Sequence, residues 1–261
     1  MKSSLKAILP AIAVLTLGTA ATVSGNRPET VGHRGSSVGV ENTREAFAEG
    51  IARGYDYLET DVRVSADTCF VLCHDEDNVR LGGNLKVAEA TLAELRAQPL
   101  RQRRYGIDYT ATMATLGEYL AQCREGGVRP VIELKWGTGV NSNDCSLVPA
   151  LIDTITASGL RQQAVILTSM RPCLEYIRAN YPDITLQFLG GATWRQHFAW
   201  ADSLRLDLDI AHTYLDSSDI ARAHAAGLKV NTWTVDNPGR ADTLVRWGVD
   251  FVTTNRLPAE L

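Results

Sequence analysis

No stretch of this 261-residue chain holds the ~20 consecutive apolar residues that a membrane-spanning helix needs. The apolar run from Ala7 to Leu17 is much shorter, which argues against a stable membrane anchor. It follows Lys2 and Lys6 and precedes the small residues Thr19, Ala20 and Ala21, the layout of a secretory signal over residues 1–25. No cysteine lies near that cleavage region, so lipid attachment is unsupported, and the expectation is a released periplasmic or extracellular protein. Positive charge is not in excess either. Lysine and arginine total 26 against 30 acidic residues, a net charge of −4, and losing Lys2 and Lys6 would take it to −6. That balance excludes nucleic acid as the natural partner and means that an anionic ligand must be drawn in by local cations.

Cysteine is scarce: Cys69, Cys73, Cys123, Cys145 and Cys173, none at metal-site spacing. An odd number leaves at least one thiol unpaired in an oxidising compartment. Cys69 and Cys73 stand four residues apart in a run that reads as a strand, ~13 Å at ~3.3 Å per residue, beyond the ~7 Å that a bridge allows. Both are expected to be buried small side chains.

What the chain does have is alternation. Past residue 25, β-rich runs and helix-patterned segments follow one another, the mark of a sheet built from βα units. Strands are expected at 30–33, 57–64, 69–74, 130–135, 164–168, 185–189, 206–212, 229–235 and 251–254. Helices are expected near 43–53, 115–125, 147–157, 172–180, 193–203, 217–226 and 239–247. Residues 26–261 suit one α/β domain of the size of a (β/α)8 barrel. The strand candidates exceed the staves of such a barrel by one, and the link from Ser65 to Thr68 is too short for a helical crossover, so one neighbouring pair is irregular or hairpin-like. Capping boxes are expected at Asn42 with Glu45, Thr91 with Glu94 and Thr115 with Glu118, and a helix stop at Gly126-Gly127. An inserted segment after the third strand, 75–113, carries one convincing helix, Thr91 to Ala97, and the cluster Arg101, Arg103 and Arg104. A solvated loop is the simplest reading of those arginines, with a role toward an anionic substrate as the sharper one.

The chemistry concentrates on two strands. In Tyr57 to Val64, Leu58, Val62 and Val64 share one face and Glu59, Asp61 and Arg63 the other. If the apolar face meets the outer helices, Glu59 and Asp61 turn inward, and burying both costs heavily unless a cation compensates. Around Glu133, Ile132, Leu134 and Trp136 face one way while Val131, Glu133 and Lys135 face the other. Glu59, Asp61 and Glu133 thus form an all-oxygen set suited to a hard divalent ion, magnesium or calcium. The bland alternative is a set of buried ion pairs. His33 and His74 each end an apolar run, where barrel enzymes keep their chemistry, and form a candidate acid–base pair. Arg34 and Lys135 are candidate phosphate contacts. Trp233 is a candidate apolar wall for the substrate, or a core side chain. His197 and His224 read as surface residues, His212 as a rim position, and Glu41-Asn42-Thr43 as a helix cap with a supporting role toward the site open.

In order along the chain, His33-Arg34-Gly35, Glu41-Asn42-Thr43, Glu59-Thr60-Asp61, His74-Asp75, Glu133-Leu134-Lys135 and Trp233-Thr234-Val235 resemble the glycerophosphodiester phosphodiesterase family. Each triplet alone is weak; the ordered series is specific and spans nearly the whole chain after residue 25. The resemblance implies a TIM barrel with a divalent ion on Glu59, Asp61 and Glu133 and an acid–base pair of His33 and His74. It also implies phosphate contacts from Arg34 and Lys135, and hydrolysis of small glycerophosphodiesters to glycerol 3-phosphate and an alcohol. The chain departs from the family pattern at Asp67-Thr68, where Asp-Gly is usual, and at Arg80-Leu81-Gly82-Gly83, where an Arg-Thr-Thr run is common. It departs again at Asp236, where Asn is frequent, and at Asn255, where Asp is usual. These differences bear on substrate preference rather than reaction type. Rival readings are hydrolysis of another phosphodiester, such as a lysophospholipid or glycerophosphoinositol, and non-catalytic capture of phosphodiesters. The sequence sets no oligomeric state.

Overall fold

The computed structural model describes residues 27–141 and 143–261, so the signal-peptide reading of 1–25 lies outside the described residues. Strands β1 (Glu29–Gly32) and β2 (Tyr57–Val64) pair in parallel and close a ring. The remaining staves are β6 (Arg129–Leu134), β7 (Val165–Thr168), β8 (Thr185–Gly190), β9 (Asp207–Ala211), β10 (Val230–Trp233) and β11 (Phe251–Thr254). Every pairing round the ring, β1-β2-β6-β7-β8-β9-β10-β11 and back to β1, is parallel, which makes the (β/α)8 barrel expected from the sequence.

Alternation decides which way each side chain goes. Leu58, Val62 and Val64 of β2 and Ile132 and Leu134 of β6 point outward into a core shared with the helices. Those helices are α1 (Arg44–Ala52), α3 (Leu116–Gly126), α4 (Val148–Ala157), α5 (Arg171–Asn180), α6 (Phe198–Ser203), α7 (Ser217–Ala225) and α8 (Pro238–Trp247). Full burial of each such side chain contributes roughly 1.5–3 kcal/mol. The intervening residues Tyr57, Val131, Val165, Leu167 and Phe251 plug the barrel interior. Among the described residues no helix is long and apolar enough to cross a membrane.

The surplus strand is β3 (Phe70–Leu72), which pairs antiparallel with β2 in the register Val62 to Leu72 and Val64 to Phe70. It hangs on β2 as the second arm of a hairpin and is not a stave. The insertion that follows wraps a small core of its own, including Val71, Leu81, Val87, Leu95, Leu100 and Met113. It contains α2 (Leu92–Ala97) and a hairpin of β4 (Leu100–Arg104) and β5 (Ile107–Ala111). The loop expected at Arg101, Arg103 and Arg104 is therefore strand. Its turn is Tyr105-Gly106, both at positive φ.

Two of the three expected capping boxes form, Thr91 with Glu94 and Thr115 with Glu118, and Gly127 ends α3 at φ +65°. The third does not. The residue capping α1 is Thr43, without a side-chain cap hydrogen bond. Asn42 is spent elsewhere, donating to Asp61 Oδ2 at 2.8 Å and accepting from Thr60 Oγ1 at 2.9 Å. The helix expected over 193–203 splits into a 3-10 turn, Trp194–His197, and α6. All five cysteines are thiols, and Cys69 and Cys73 flank β3 unbridged.

Candidate active site

β2 and β6 lie side by side with Asp61 opposite Glu133, so the inward faces of the two strands meet at the catalytic end of a barrel. Oxygen atoms of Glu59, Asp61 and Glu133 all lie within 4.8 Å of one another. Asp61 is held on three sides: by Asn42, by Arg34 Nε at 3.3 Å and by Lys135 Nζ at 3.0 Å. Burial pushes its carboxyl up, but Lys135, Arg34 and His74 outweigh that, and it stays low. Glu59 fares differently. Its Oε2 accepts from the Arg34 backbone at 2.8 Å while Oε1, fully buried, has no partner. Burial, then Asp61 and Glu133, drive its pKa well above the carboxylate range, and burial with Asp61 lifts Glu133 to about 7 despite Lys135. Lys135 is shared, donating to Glu133 Oε1 at 2.5 Å as well as facing Asp61, so the protein's own cations reach two of the three carboxylates, and among the described residues no side-chain cation pairs with Glu59. An orphaned buried oxygen in an all-oxygen cluster short of positive charge fits a hard divalent cation, magnesium or calcium.

The histidines flank this cluster. His33 follows β1, and its Nδ1 meets Asn255 Oδ1 at 2.9 Å. Asn255 cannot turn over, because its Nδ2 donates to Asp236 Oδ2 at 2.7 Å. Its Oδ1 is therefore the acceptor, His33 carries its proton on Nδ1, and Nε2 keeps a free lone pair. Burial, reinforced by Arg34, lowers the His33 pKa to about 4, so the ring is neutral near pH 7. His74 follows β3, and its Nδ1 lies 2.7 Å from Asp75 Oδ1, a carboxylate that Arg80 steadies at 2.6 Å. Burial, with Arg34 and Lys135, lowers its pKa too, opposed by Asp61 and Asp75. Arg63, which follows Tyr57, Glu59 and Asp61 on the inward face of β2, donates to the His74 carbonyl at 2.8 and 3.1 Å and to the Trp136 carbonyl at 2.8 Å.

His33, Arg34, Glu59, His74, Glu133, Lys135 and Trp233 line one cavity of about 130 Å³, with Asp61 buried beneath them. The structure thus brings every expected site residue together. Trp233 is half-buried in this wall with Leu167 and Leu189, rather than in the core. A larger surface groove of about 460 Å³ beside it, bounded by Arg63, Glu76, Lys86 and Trp136, holds none of the three carboxylates and neither histidine. His212 contacts Arg240, His224 pairs with Asp250, and His197 sits by Phe188; none lines the central cavity.

Arg34 is aimed by its turn. It sits at φ +52° and is followed by Gly35 at φ +90°, where a Cβ would stand 2.7 Å from the Ala46 backbone, so only glycine fits. Its guanidinium reaches Glu41 at 2.8 Å, and Glu41 also accepts from Arg80, Gln102 and Arg104 of the insertion. Burial raises the Glu41 carboxyl, yet Arg80 and Arg34 prevail and hold it at about 2. The sequence reading gave no role to Arg80 or to Asp209, which also lines the cavity, placed Arg63 inward without a role, and left a supporting role for Glu41 open. Arg63 and Asp209 each show an inward position in strand alternation, and Glu41 stands in the Glu41-Asn42-Thr43 segment, whereas no local pattern marks Arg80 as a partner of Glu41.

The same arrangement of strands recurs in solved structures. A phosphodiesterase from Oleispira antarctica, in complex with the product sn-glycerol-3-phosphate, superposes with a TM-score of 0.74 at 22% identity, covering 89% of this chain and 94% of that one. A glycerophosphodiester phosphodiesterase from Parabacteroides distasonis gives 0.73 at 21%, over 89% and 94%. Among curated proteins, the glycerophosphodiester phosphodiesterase of Caldanaerobacter subterraneus is 24% identical over 235 residues, 86% of this chain and 93% of its own. The model of the glycerophosphoryl diester phosphodiesterase family matches residues 26–259. With barrel, carboxylate cluster and paired histidines under a match that spans the domain, the chain belongs to the glycerophosphoryl diester phosphodiesterase family and is a phosphodiesterase.

Proposed function

We propose that this enzyme hydrolyses glycerophosphodiesters to glycerol 3-phosphate and an alcohol, with a divalent ion on Glu59, Asp61 and Glu133 and acid–base catalysis by His33 and His74. The observation that carries the reading is the buried, undercompensated carboxylate cluster with an imidazole on either side. Magnesium or calcium held there supplies charge stabilisation at the phosphate oxygens. Arg34 and Lys135, at the same mouth, supply a planar donor and a point charge for those oxygens. His33, neutral and with Nε2 free, suits the base that takes a proton from the attacking hydroxyl or water. His74, its Nδ1 held by Asp75, is left to protonate the leaving alkoxide, and Asp61 and Asp75 offset part of the lowering that burial imposes on its imidazolium form. Trp233 provides an apolar surface for the carbon skeleton.

The lysine-flanked apolar leader supports export, with the enzyme released into the periplasm or medium. The test of the function is release of glycerol 3-phosphate from glycerophosphocholine by the purified 26–261 protein, with chelator and then with magnesium or calcium restored. Metal-dependent release is expected. Folded protein that releases none from any glycerophosphodiester with either metal would sink the proposal.

A further inference from the structure

One carboxyl in the cavity has no task in this chemistry. Asp209 projects inward from β9, which lies across the ring from β2 in the order β2-β6-β7-β8-β9. It is 4% exposed, and its Oδ1 has no hydrogen-bond partner. The polar side chains beside it are already engaged. Asn231 donates to Gln187 at 3.3 Å, Thr253 donates to Asn231 at 3.0 Å, and the Trp233 indole donates to the Asp209 carbonyl rather than its carboxyl. Among the described residues no lysine, arginine or histidine forms an ion pair with Asp209. A buried polar group left without a partner is expensive and calls for a ligand. Around it the cavity offers carbon: Leu167, Leu189 and Trp233.

We propose that Asp209 is a specificity residue that hydrogen-bonds a hydroxyl of the polyol lodged in this cavity while Leu167, Leu189 and Trp233 pack on its carbons. This rests on the function proposed above, where the polyol is glycerol. A hydroxyl both donates and accepts, so it satisfies the carboxyl group whether or not that group carries a proton. A site built to bind a hydroxyl rejects the analogue lacking it, because the buried group is then left unpaired. The test compares kcat/KM for glycerophosphocholine with that for the deoxy analogues in which 1,2- or 1,3-propanediol replaces glycerol. Wild type should prefer glycerol over at least one analogue by roughly 100-fold or more. Asp209→Ala should shrink that ratio to within about 10-fold, chiefly through KM for the glycerol substrate, and Asp209→Asn should keep an intermediate ratio. A poorly folded variant would slow all substrates alike, so the ratio is read on Asp209→Ala protein whose circular-dichroism spectrum and urea unfolding match wild type, and an unchanged ratio in that protein overturns the proposal. So does a wild type that does not discriminate. Calorimetric titration with magnesium or calcium alone should give the same affinity in Asp209→Ala; a large loss would make Asp209 a metal ligand and overturn the assignment. If wild type releases no glycerol 3-phosphate from any glycerophosphodiester, the function proposal fails and takes this one with it. If it does so and Asp209→Ala changes nothing, only this one fails.

A separate observation concerns Cys145 and Cys173. Their Sγ atoms lie 3.1 Å apart, and both approach the Asn141 carbonyl. Cys145 is in the connection from β6 to α4, and Cys173 is in the first turn of α5. Sulfurs this close need only a small side-chain adjustment to reach the bonding distance. We infer that they form a disulfide when the chain matures in an oxidising compartment. The two thiols give up two electrons and two protons to an exchanging disulfide, which leaves as two thiols. Alkylation of denatured, unreduced protein recovered from the secreted fraction should label three of the five cysteines, and all five after reduction. Peptide mapping should find the 145–173 link, and Cys173→Ser should leave all four remaining cysteines reactive. Five reactive thiols before reduction, or a link between any other pair, overturns the inference.

Discussion

The two walls of the cavity are built on different principles. On the side of β1, β2 and β6, charged groups are cross-braced: Asp61 meets Asn42, Arg34 and Lys135, and Arg34 meets Glu41, Asp61 and, through its backbone, Glu59. On the side of β7 to β10 the lining is Leu167, Leu189 and Trp233 with the single carboxyl of Asp209. The braced wall fixes atoms where charge develops during reaction, which is where preorganisation counts most. The plain wall has little to orient and much to shape. Reaction type therefore resides in one half of the barrel mouth and substrate identity in the other, and the two halves should be separable by mutation.

The largest effect expected is at the carboxylates. Glu59→Gln should lower kcat/KM by at least ~10³-fold and should bind magnesium or calcium more weakly in calorimetry, since stabilisation worth several kcal/mol is lost. Next come the histidines. His33→Ala and His74→Ala should each cut kcat by about 10²- to 10⁴-fold while KM stays within about threefold, measured as steady-state release of glycerol 3-phosphate. A third test probes the bracing itself. Because the folded Glu41 carboxyl is held at about 2 against an ordinary 4.5, its contribution to stability is complete above pH 4.5 and is lost as pH falls toward 2. At about 1.4 kcal/mol per pH unit that contribution is roughly 3 kcal/mol. Urea unfolding of wild type should weaken steeply over this interval, and Glu41→Gln should flatten the pH dependence. The smallest effect is on the plain wall. Trp233→Ala should raise KM for glycerophosphocholine up to about tenfold, the equivalent of ~1.4 kcal/mol of lost contact, with kcat within about threefold. If Trp233→Ala instead cuts kcat as deeply as the histidine variants, the division between the walls is wrong.

Much of the site was legible because period-2 alternation survives in β2 and β6, where Leu58, Val62, Ile132 and Leu134 mark the outer face and so place Glu59, Asp61 and Glu133 inside. The hairpin of β4 and β5 was not legible, since Leu100 and Ala111 are its only buried residues and the arginines stand on both faces. Tyr105-Gly106 was the available clue, a turn pair between two short polar runs. Asn42 misled because Asn followed by Glu three residues later suits a helix cap as well as it suits a bond to Asp61, nineteen residues away. Asp209 was visible as an inward position between Leu208 and Ile210, but the absence of a partner is a property of the assembled barrel that no local pattern carries.

Glu41 has a consequence for engineering. Its carboxylate takes donors from the β1 turn through Arg34 and from the insertion through Arg80, Gln102 and Arg104. The insertion is therefore no interchangeable cassette. A segment transplanted from a related barrel without matching donors would leave a buried anion bare and loosen the arginine beside the cavity. The portable module is the insertion together with residues 33–42.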